Sequence, residues 1–177
     1  MLLVRILTVS DPQCLPNPGS AVNAPRDTLL SKKRKKKLQK KLIVKKTGHG
    51  RGLFAKKDFA RDSVVGRIKG DVVSDESHDP RYVMELENDL LLVPKAPFRF
   101  LNHSCRPNCE LFDWEDEPPN PKTGVRDLYL GVIRKIAAGD ELTIDYSWPA
   151  GFAIPCECGS KKCRGHIVSQ EELHLVA

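Results

Sequence analysis

No stretch of this 177-residue chain approaches the roughly 20 consecutive apolar residues that a bilayer-spanning helix requires, so the sequence holds no helical membrane span and no membrane partner is expected. The apolar start, MLLVRILTVS, is short, interrupted by Arg5 and followed by no cleavage pattern, which reads against a secretory signal. The expected setting is intracellular, and the six cysteines are expected as thiols or metal ligands instead of disulfides. Also missing are a sustained apolar stripe at helical spacing and any internal repeat, which weighs against helical and solenoid architectures. The apolar fraction of 40% is low but sufficient for one core in a domain of ordinary size.

Positive charge is present in excess, but only in one place. The formal net charge is +6, and residues 32–41, KKRKKKLQKK, hold eight of the 29 basic side chains, leaving 21 basic against 23 acidic elsewhere, a balance of −2. The body of the protein is therefore slightly acidic and its basicity is a local appendage. Such a run repels itself unless a polyanion neutralises it, and it reads equally as a solvated tail, a nuclear-import signal or a nucleic-acid contact. Residues 1–30, rich in Pro, Asn and Ser and without a period, are expected to lack a fixed fold.

From Leu42 onward the texture becomes short β-like segments: LIVKKT, SVVGRIKGDVV, RYVMELENDLLLVPK, CELF, DLYLGVIRKI and ELTIDYSW. Each carries β-branched residues and alternation, broken by Gly, Pro or Asp, which predicts a mainly β fold. Between two of them the loop DWEDEPPNPKTGV, residues 113–125, places four carboxylates in its first five positions. It reads as a solvated hairpin loop or as a rim that attracts a basic substrate.

The densest chemical signal is IPCECGSKKCRG, residues 154–165, where Cys156, Cys158 and Cys163 fall close together around Gly159. Thiolates at this spacing can converge on one Zn²⁺, with Lys161 and Lys162 offsetting their negative charge. A tetrahedral site needs a fourth ligand. Spacing leaves Cys105, Cys109 and His166 open for that place, with Cys14 a more distant option in the leader.

Four motifs together resemble the SET-domain protein lysine methyltransferases: His49-Gly50-Arg51-Gly52-Leu53-Phe54, Arg99-Phe100-Leu101-Asn102-His103-Ser104-Cys105, Gly139 to Tyr146 (GDELTIDY), and the thiol cluster, which looks like the family's post-SET zinc motif. The resemblance implies a SET-domain β-fold of small curved sheets, with a knot-like C-terminal threading and a post-SET zinc site. It divides the chain into a leader with the basic tract (1–41), a SET domain (42–148), a post-SET zinc segment (149–166) and a C-terminal tail (167–177). By the same resemblance Cys105 joins Cys156, Cys158 and Cys163 on a structural zinc, and Cys109 becomes a small buried hydrophobe.

The implied reaction transfers methyl groups from S-adenosyl-L-methionine to a lysine ε-amine of a protein substrate, a histone tail or another basic protein suiting the acidic body. Cofactor contacts are implied for His49, Gly50, Arg51, Gly52, Tyr82, Asn102, His103 and Tyr146. Tyr146 is the implied catalytic residue, and Tyr82, Phe100, Ile144 and Trp148 are the implied walls of the lysine channel. Relatives commonly carry Phe or Tyr at the position of Ile144, so a smaller, hydroxyl-free side chain there points to di- or trimethylation. The stretch between Val73 and Tyr82 is short where many relatives insert a substrate-recognition segment, and no cysteine-rich cluster precedes the domain. A nuclear location follows if the source is eukaryotic, a cytoplasmic or nucleoid-associated one if it is bacterial. The competing reading is a non-catalytic SET-like module that binds peptide or nucleic acid. A small zinc-finger-like nucleic-acid binder explains residues 32–41 and 156–163 but leaves the three central motifs without a role.

Overall fold

The computed structural model describes residues 41–48, 50–74 and 82–176. Cys14, His49 and all of the basic tract but Lys41 lie outside them. Among the described residues the fold is built from twelve short strands in four small sheets, with single turns of 3₁₀ helix and no α-helix.

Alternation sets the first sheet. In β1 (Leu42–Thr47) Leu42 is buried and Val44 half-buried, while Ile43 and Lys45 are exposed. β1 pairs antiparallel over its whole length with β2 (Gly50–Ala55), from Leu42↔Ala55 to Thr47↔Gly50. The GRGLF stretch, which reads locally as a turn, is thus a strand. Two neighbours hold it extended, because β10 (Glu141–Ile144) pairs with its other edge at Glu141↔Phe54 and Leu142↔Leu53. Leu53 and Leu142 are both fully buried, and sealing each contributes about 2 kcal/mol. The sheet ends at β7 (Asn102–His103), parallel to β10 with Thr143↔Asn102 and Ile144↔His103 in register.

A second sheet places β9 (Tyr129–Val132), buried along its length, between β3 (Val64–Arg67) and β8 (Cys109–Phe112). A third orders β4 (Gly70–Val73), β6 (Leu91–Pro94) and β5 (Met84–Glu85). The acidic loop joins β8 to β9 and is braced from within. Arg126 binds Asp113 (2.8 Å) and Glu87, Tyr129 Oη donates to Glu117 (2.8 Å), and Asn120 donates to Asp127 (2.9 Å). Two of the four rim carboxylates, Asp113 and Glu117, are thereby drawn inward.

After β10 the chain turns at Ser147, which has a positive φ of 47°, and buries Trp148. It then forms a ribbon of β11 (Ile154–Pro155) and β12 (His166–Ile167) around the cysteine segment. The last residues pack back: Val168 is fully buried, Ser169 N–H donates to the Trp148 carbonyl (2.7 Å), and Ala150 N–H donates to Glu172 (2.6 Å). The Asn102–Cys105 segment is therefore flanked by β10 on one side and the returning C-terminal cysteines on the other.

Candidate active site

Register assembles the site. The parallel β7–β10 pairing sets Asn102 and His103 beside Thr143 and Ile144, and β2 brings Arg51 within reach of Asn102. Asn102 Nδ2 donates both to the Arg51 carbonyl (3.1 Å) and to Glu141 Oε1 (2.7 Å), which consumes its donors and leaves its amide oxygen as an acceptor. Gly52 lets β2 approach closely at this junction, since a Cβ there would lie 2.1 Å from Glu141 Oε1 and push that carboxylate aside. Asn108, which the sequence reading passed over, stitches the same corner: its Nδ2 donates to Glu141 O (2.8 Å) and its Oδ1 accepts Thr143 N–H (2.9 Å).

Beside this junction lies a cavity of about 470 Å³ bordered by Gly50, Arg51, Tyr82, Phe100, Asn102, Ile144 and Tyr146, together with Met84, Phe98, Arg99 and Leu101. Its size is that of a small-molecule site. Apolar side chains form its floor, with Ile144 only 1% exposed. Its rim is cationic: the guanidinium groups of Arg51 and Arg99 lie 5.4 and 5.6 Å from the Phe100 ring, and Arg99 also sits 6.0 Å from the Tyr82 ring.

Tyr146 is the fixed polar point of the floor. Its hydroxyl donates to the Leu101 carbonyl at 2.7 Å, and burial pushes its phenol well above the ordinary range, so it stays protonated. Its ring is held between His103, at 5.4 Å between centroids, and Trp148, at 5.3 Å. Trp148 is thus a buttress behind Tyr146 and does not border the cavity.

The imidazole of His103 also points away from the cavity. Nδ1 accepts the Tyr146 backbone N–H (3.2 Å) and Nε2 lies 3.3 Å from Cys105 Sγ. Burial brings the His103 imidazole down to about 4, against Asp145, which raises it, and with Arg164, which lowers it further. A neutral ring accepting at Nδ1 carries its proton on Nε2, where it donates to the Cys105 sulfur.

Cys105 is the residue the fold brings to the C-terminal thiols. Its Sγ is 3.6 Å from that of Cys156, and its N–H points at Cys158 Sγ at 3.5 Å. The Cys163 thiol lies beside them and donates to the Cys156 carbonyl (3.5 Å), but it is not among the ligand atoms that converge most closely. Ligand atoms of His103, Cys105, Cys156 and Cys158 all lie within 4.8 Å of one another. Four thiolates at about 2.3 Å from a zinc ion stand about 3.8 Å apart, so the Cys105–Cys156 spacing fits a shared metal and is far too long for a disulfide. Burial raises the Cys158 thiol, but hydrogen bonds from the Cys105 and Ser160 backbone and from Cys156 and Cys163 outweigh it and bring it to about 7. Cys109 is fully buried on β8, where burial pushes its thiol up to about 12. Neither it nor His166 joins the converging atoms.

A bidentate pair that the sequence reading did not anticipate locks the two halves together. Arg164 Nη1 and Nη2 hold Asp145 at 2.6 and 2.7 Å, and Arg164 N–H points at Cys105 Sγ at 3.4 Å.

The family model described as SET domain matches residues 50–147, which contain every element of the cavity just described. The chain belongs to the SET-domain family. Among curated proteins, this SET chain is 32% identical to Histone-lysine N-methyltransferase ASHR3 of Arabidopsis thaliana, over 73% of the chain and 28% of that protein. It is 32% identical to Histone-lysine N-methyltransferase 2B of Homo sapiens over 66% of the chain and 5% of that protein, and 31% identical to Histone-lysine N-methyltransferase trithorax of Drosophila virilis over 67% and 3%. The chain thus spans a small part of the relatives it matches. Among solved structures, KRYPTONITE in complex with mCHG DNA and SAH shares the fold with a TM-score of 0.62 at 21% identity, covering 71% of this chain and 28% of that one.

Proposed function

We propose that this SET domain transfers methyl groups from S-adenosyl-L-methionine to the ε-amine of a lysine in a protein substrate, a histone tail or similar basic segment. The observation that carries the reading is the convergence of Asn102, Ile144 and the buried Tyr146 hydroxyl on one apolar-floored, cationic-rimmed cavity. Curated relatives over two thirds of the chain are named histone-lysine N-methyltransferases, and a structural neighbour was solved with SAH and an H3(1–15) peptide. An intracellular, nuclear setting agrees with those relatives.

The cofactor's sulfonium would supply an electrophilic methyl; the chain's residues bind, align and exclude water. Arg51 and Arg99 offer charge to a carboxylate, and the free amide oxygen of Asn102 offers an acceptor to an ammonium. Gly50, Gly52 and Tyr82 complete the cofactor wall, with backbone contact from His103; His49, also expected there, lies outside the described residues. A lysine of ordinary pKa about 10.4 is mostly protonated in water, and the apolar floor of Phe100, Leu101 and Ile144 favours the neutral nucleophile. The attacking nitrogen gains the methyl as the carbon–sulfur bond breaks, and the amine's proton leaves to solvent. Tyr146 Oη orients the amine and the methyl hydrogens. Cys105, Cys156, Cys158 and Cys163 would hold a structural zinc with no open position for chemistry.

The test is transfer of labelled methyl from the cofactor to a panel of basic proteins, beside Tyr146→Phe. Label on substrate that is lost in Tyr146→Phe supports the reading. Cofactor binding without transfer to any substrate favours a non-catalytic binding module.

A further inference from the structure

The basic tract at 32–41 ends on the folded body at Lys41, and the place where it ends is itself basic. Lys41 precedes β1, and its carbonyl accepts the Lys56 N–H at 2.6 Å, so the base of the β1–β2 hairpin carries lysine from both strands. The register places Ile43 and Lys45 of β1 on the outer face with Phe54, and the alternation carries on to Lys56, opposite the face that buries Leu42, Leu53 and Ala55. Lys41, just before β1, is half-buried, with its Nζ 5.5 Å from the ring of the buried Phe59. Lys57 follows directly, and the Phe59↔Ile136 bridge sets Lys135 at the same end. Lys45, Lys56, Lys57 and Lys135 are exposed, and none has a carboxylate partner among the described residues.

The surface is not uniformly positive. Asp58, Asp140 and Glu141 face the same region, but each is committed: Asp58 accepts Ala138 N–H (2.8 Å), Asp140 accepts Ala137 N–H (2.9 Å), and Glu141 accepts Asn102 Nδ2 (2.7 Å). Four lysines against three such carboxylates leave the folded face net positive, on a chain whose balance outside the tract is −2. The apolar part of this face is interleaved with the charge. Lys45 Nζ lies 5.1 Å from the Phe54 ring centroid, and Ile43 beside it is 38% exposed.

We propose that the outer face of the β1–β2 hairpin, with Lys45, Lys56, Lys57 and Lys135, is a nucleic-acid-binding surface. Lys45 pairs with Gly52, four residues from Lys56, so these two positions on the face stand roughly 13 Å apart. Duplex DNA offers one phosphate charge per about 1.7 Å of axis over such a span, whereas a small anion meets only one lysine. A single partly exposed isoleucine gives a membrane little to insert. The lysine-rich base also lies clear of the chemistry. Lys56 lies five residues, roughly 17 Å, from Arg51 at the cavity, whereas Lys45, paired with Gly52, stands at the cavity end of the hairpin.

The measurement is fluorescence anisotropy of a labelled duplex of about 20 base pairs against the full chain, repeated across salt concentrations. The triple variant Lys45→Gln, Lys56→Gln, Lys57→Gln should bind about tenfold or more weaker near 0.1 M salt, with the slope of log Kd against log salt reduced by two to three. An unchanged melting temperature shows that the variant is folded. A control triple at exposed lysines elsewhere, Lys122→Gln, Lys161→Gln, Lys162→Gln, should leave the slope within one unit of the parent. The proposal is overturned if the hairpin triple keeps the parent's affinity and slope, if the control triple loses as much, if the parent does not bind duplex, or if it prefers phosphatidylserine vesicles to duplex.

Discussion

The backbone N–H of Tyr146 is held by Nδ1 of His103 at 3.2 Å, and the other nitrogen of the same ring reaches Cys105 Sγ at 3.3 Å. One neutral imidazole therefore spans from the residue at the floor of the cavity to the thiol cluster. Removing it should be felt at both ends. His103→Ala is expected to weaken zinc retention by 10- to 100-fold, as for other groups that orient metal ligands, and to slow methyl transfer. Competition with a chromogenic chelator reads the first effect independently of activity.

The thiol cluster gives a sharper contrast. Cys105→Ser should lower both metal content and affinity, while Cys109→Ser should leave a one-zinc stoichiometry intact. Cys109 is sealed, with its thiol raised to about 12, so iodoacetamide should leave it unmodified in the native protein and label it after denaturation. Peptide mapping by mass spectrometry distinguishes the two cysteines. Stripping the metal should abolish methyl transfer through loss of the pocket, and retained full activity after chelation would refute a structural role for zinc.

Arg164→Ala leaves the Asp145 carboxylate three-quarters buried without its bidentate partner. A cost of about 2 kcal/mol is expected, below that for fully buried pairs because Asp145 keeps some solvent. Chemical denaturation of the zinc-loaded protein measures it.

Gly52→Ala should act on a neighbour. The added methyl displaces the Glu141 carboxylate from Asn102, removing one charge-assisted hydrogen bond worth about 2 kcal/mol. Cofactor affinity, read by calorimetry, should fall severalfold, and the melting temperature should drop by a few degrees while the fold persists, because the flexible end of Glu141 can yield.

At Ile144, the expected product pattern follows from volume. Ile144→Phe narrows the cavity floor and should shift the product toward monomethyl-lysine, whereas the parent proceeds to di- or trimethyl-lysine. Mass spectrometry after exhaustive turnover decides it, and monomethyl product alone from the parent would remove the volume argument.

Much of this architecture was legible in the sequence, for identifiable reasons. LIVKKT and CELF became β1 and β8 at their own boundaries, because alternation and flanking turn residues fix a strand with one buried face. The GRGLF stretch did not read as a strand, since its glycines carry no β signal and its extension comes from partners β1 and β10 far away in sequence. The grouping of Arg51, Asn102, Ile144 and Tyr146 around one cavity, and the approach of Cys105 to the C-terminal thiols, followed from motif order. What motif order does not contain is direction. The imidazole of His103 turns toward sulfur, Trp148 stands behind Tyr146, and the Arg164–Asp145 pair depends on a chain reversal that no local pattern announces.

The flanking of Asn102–Cys105 bears on how the protein is made. Apart from the Arg51 carbonyl, the partners named for that segment, from Glu141 through Tyr146 to Cys156 and Arg164, are synthesised some forty to sixty residues after it. A ribosome emitting the first hundred residues has delivered half of the cavity wall and none of its fastening. The nascent segment lacks its β10 and thiol partners until residues 141–164 have cleared the exit tunnel. Chains cut before Cys156 should therefore build the β3–β9–β8 sheet yet fail to close the pocket.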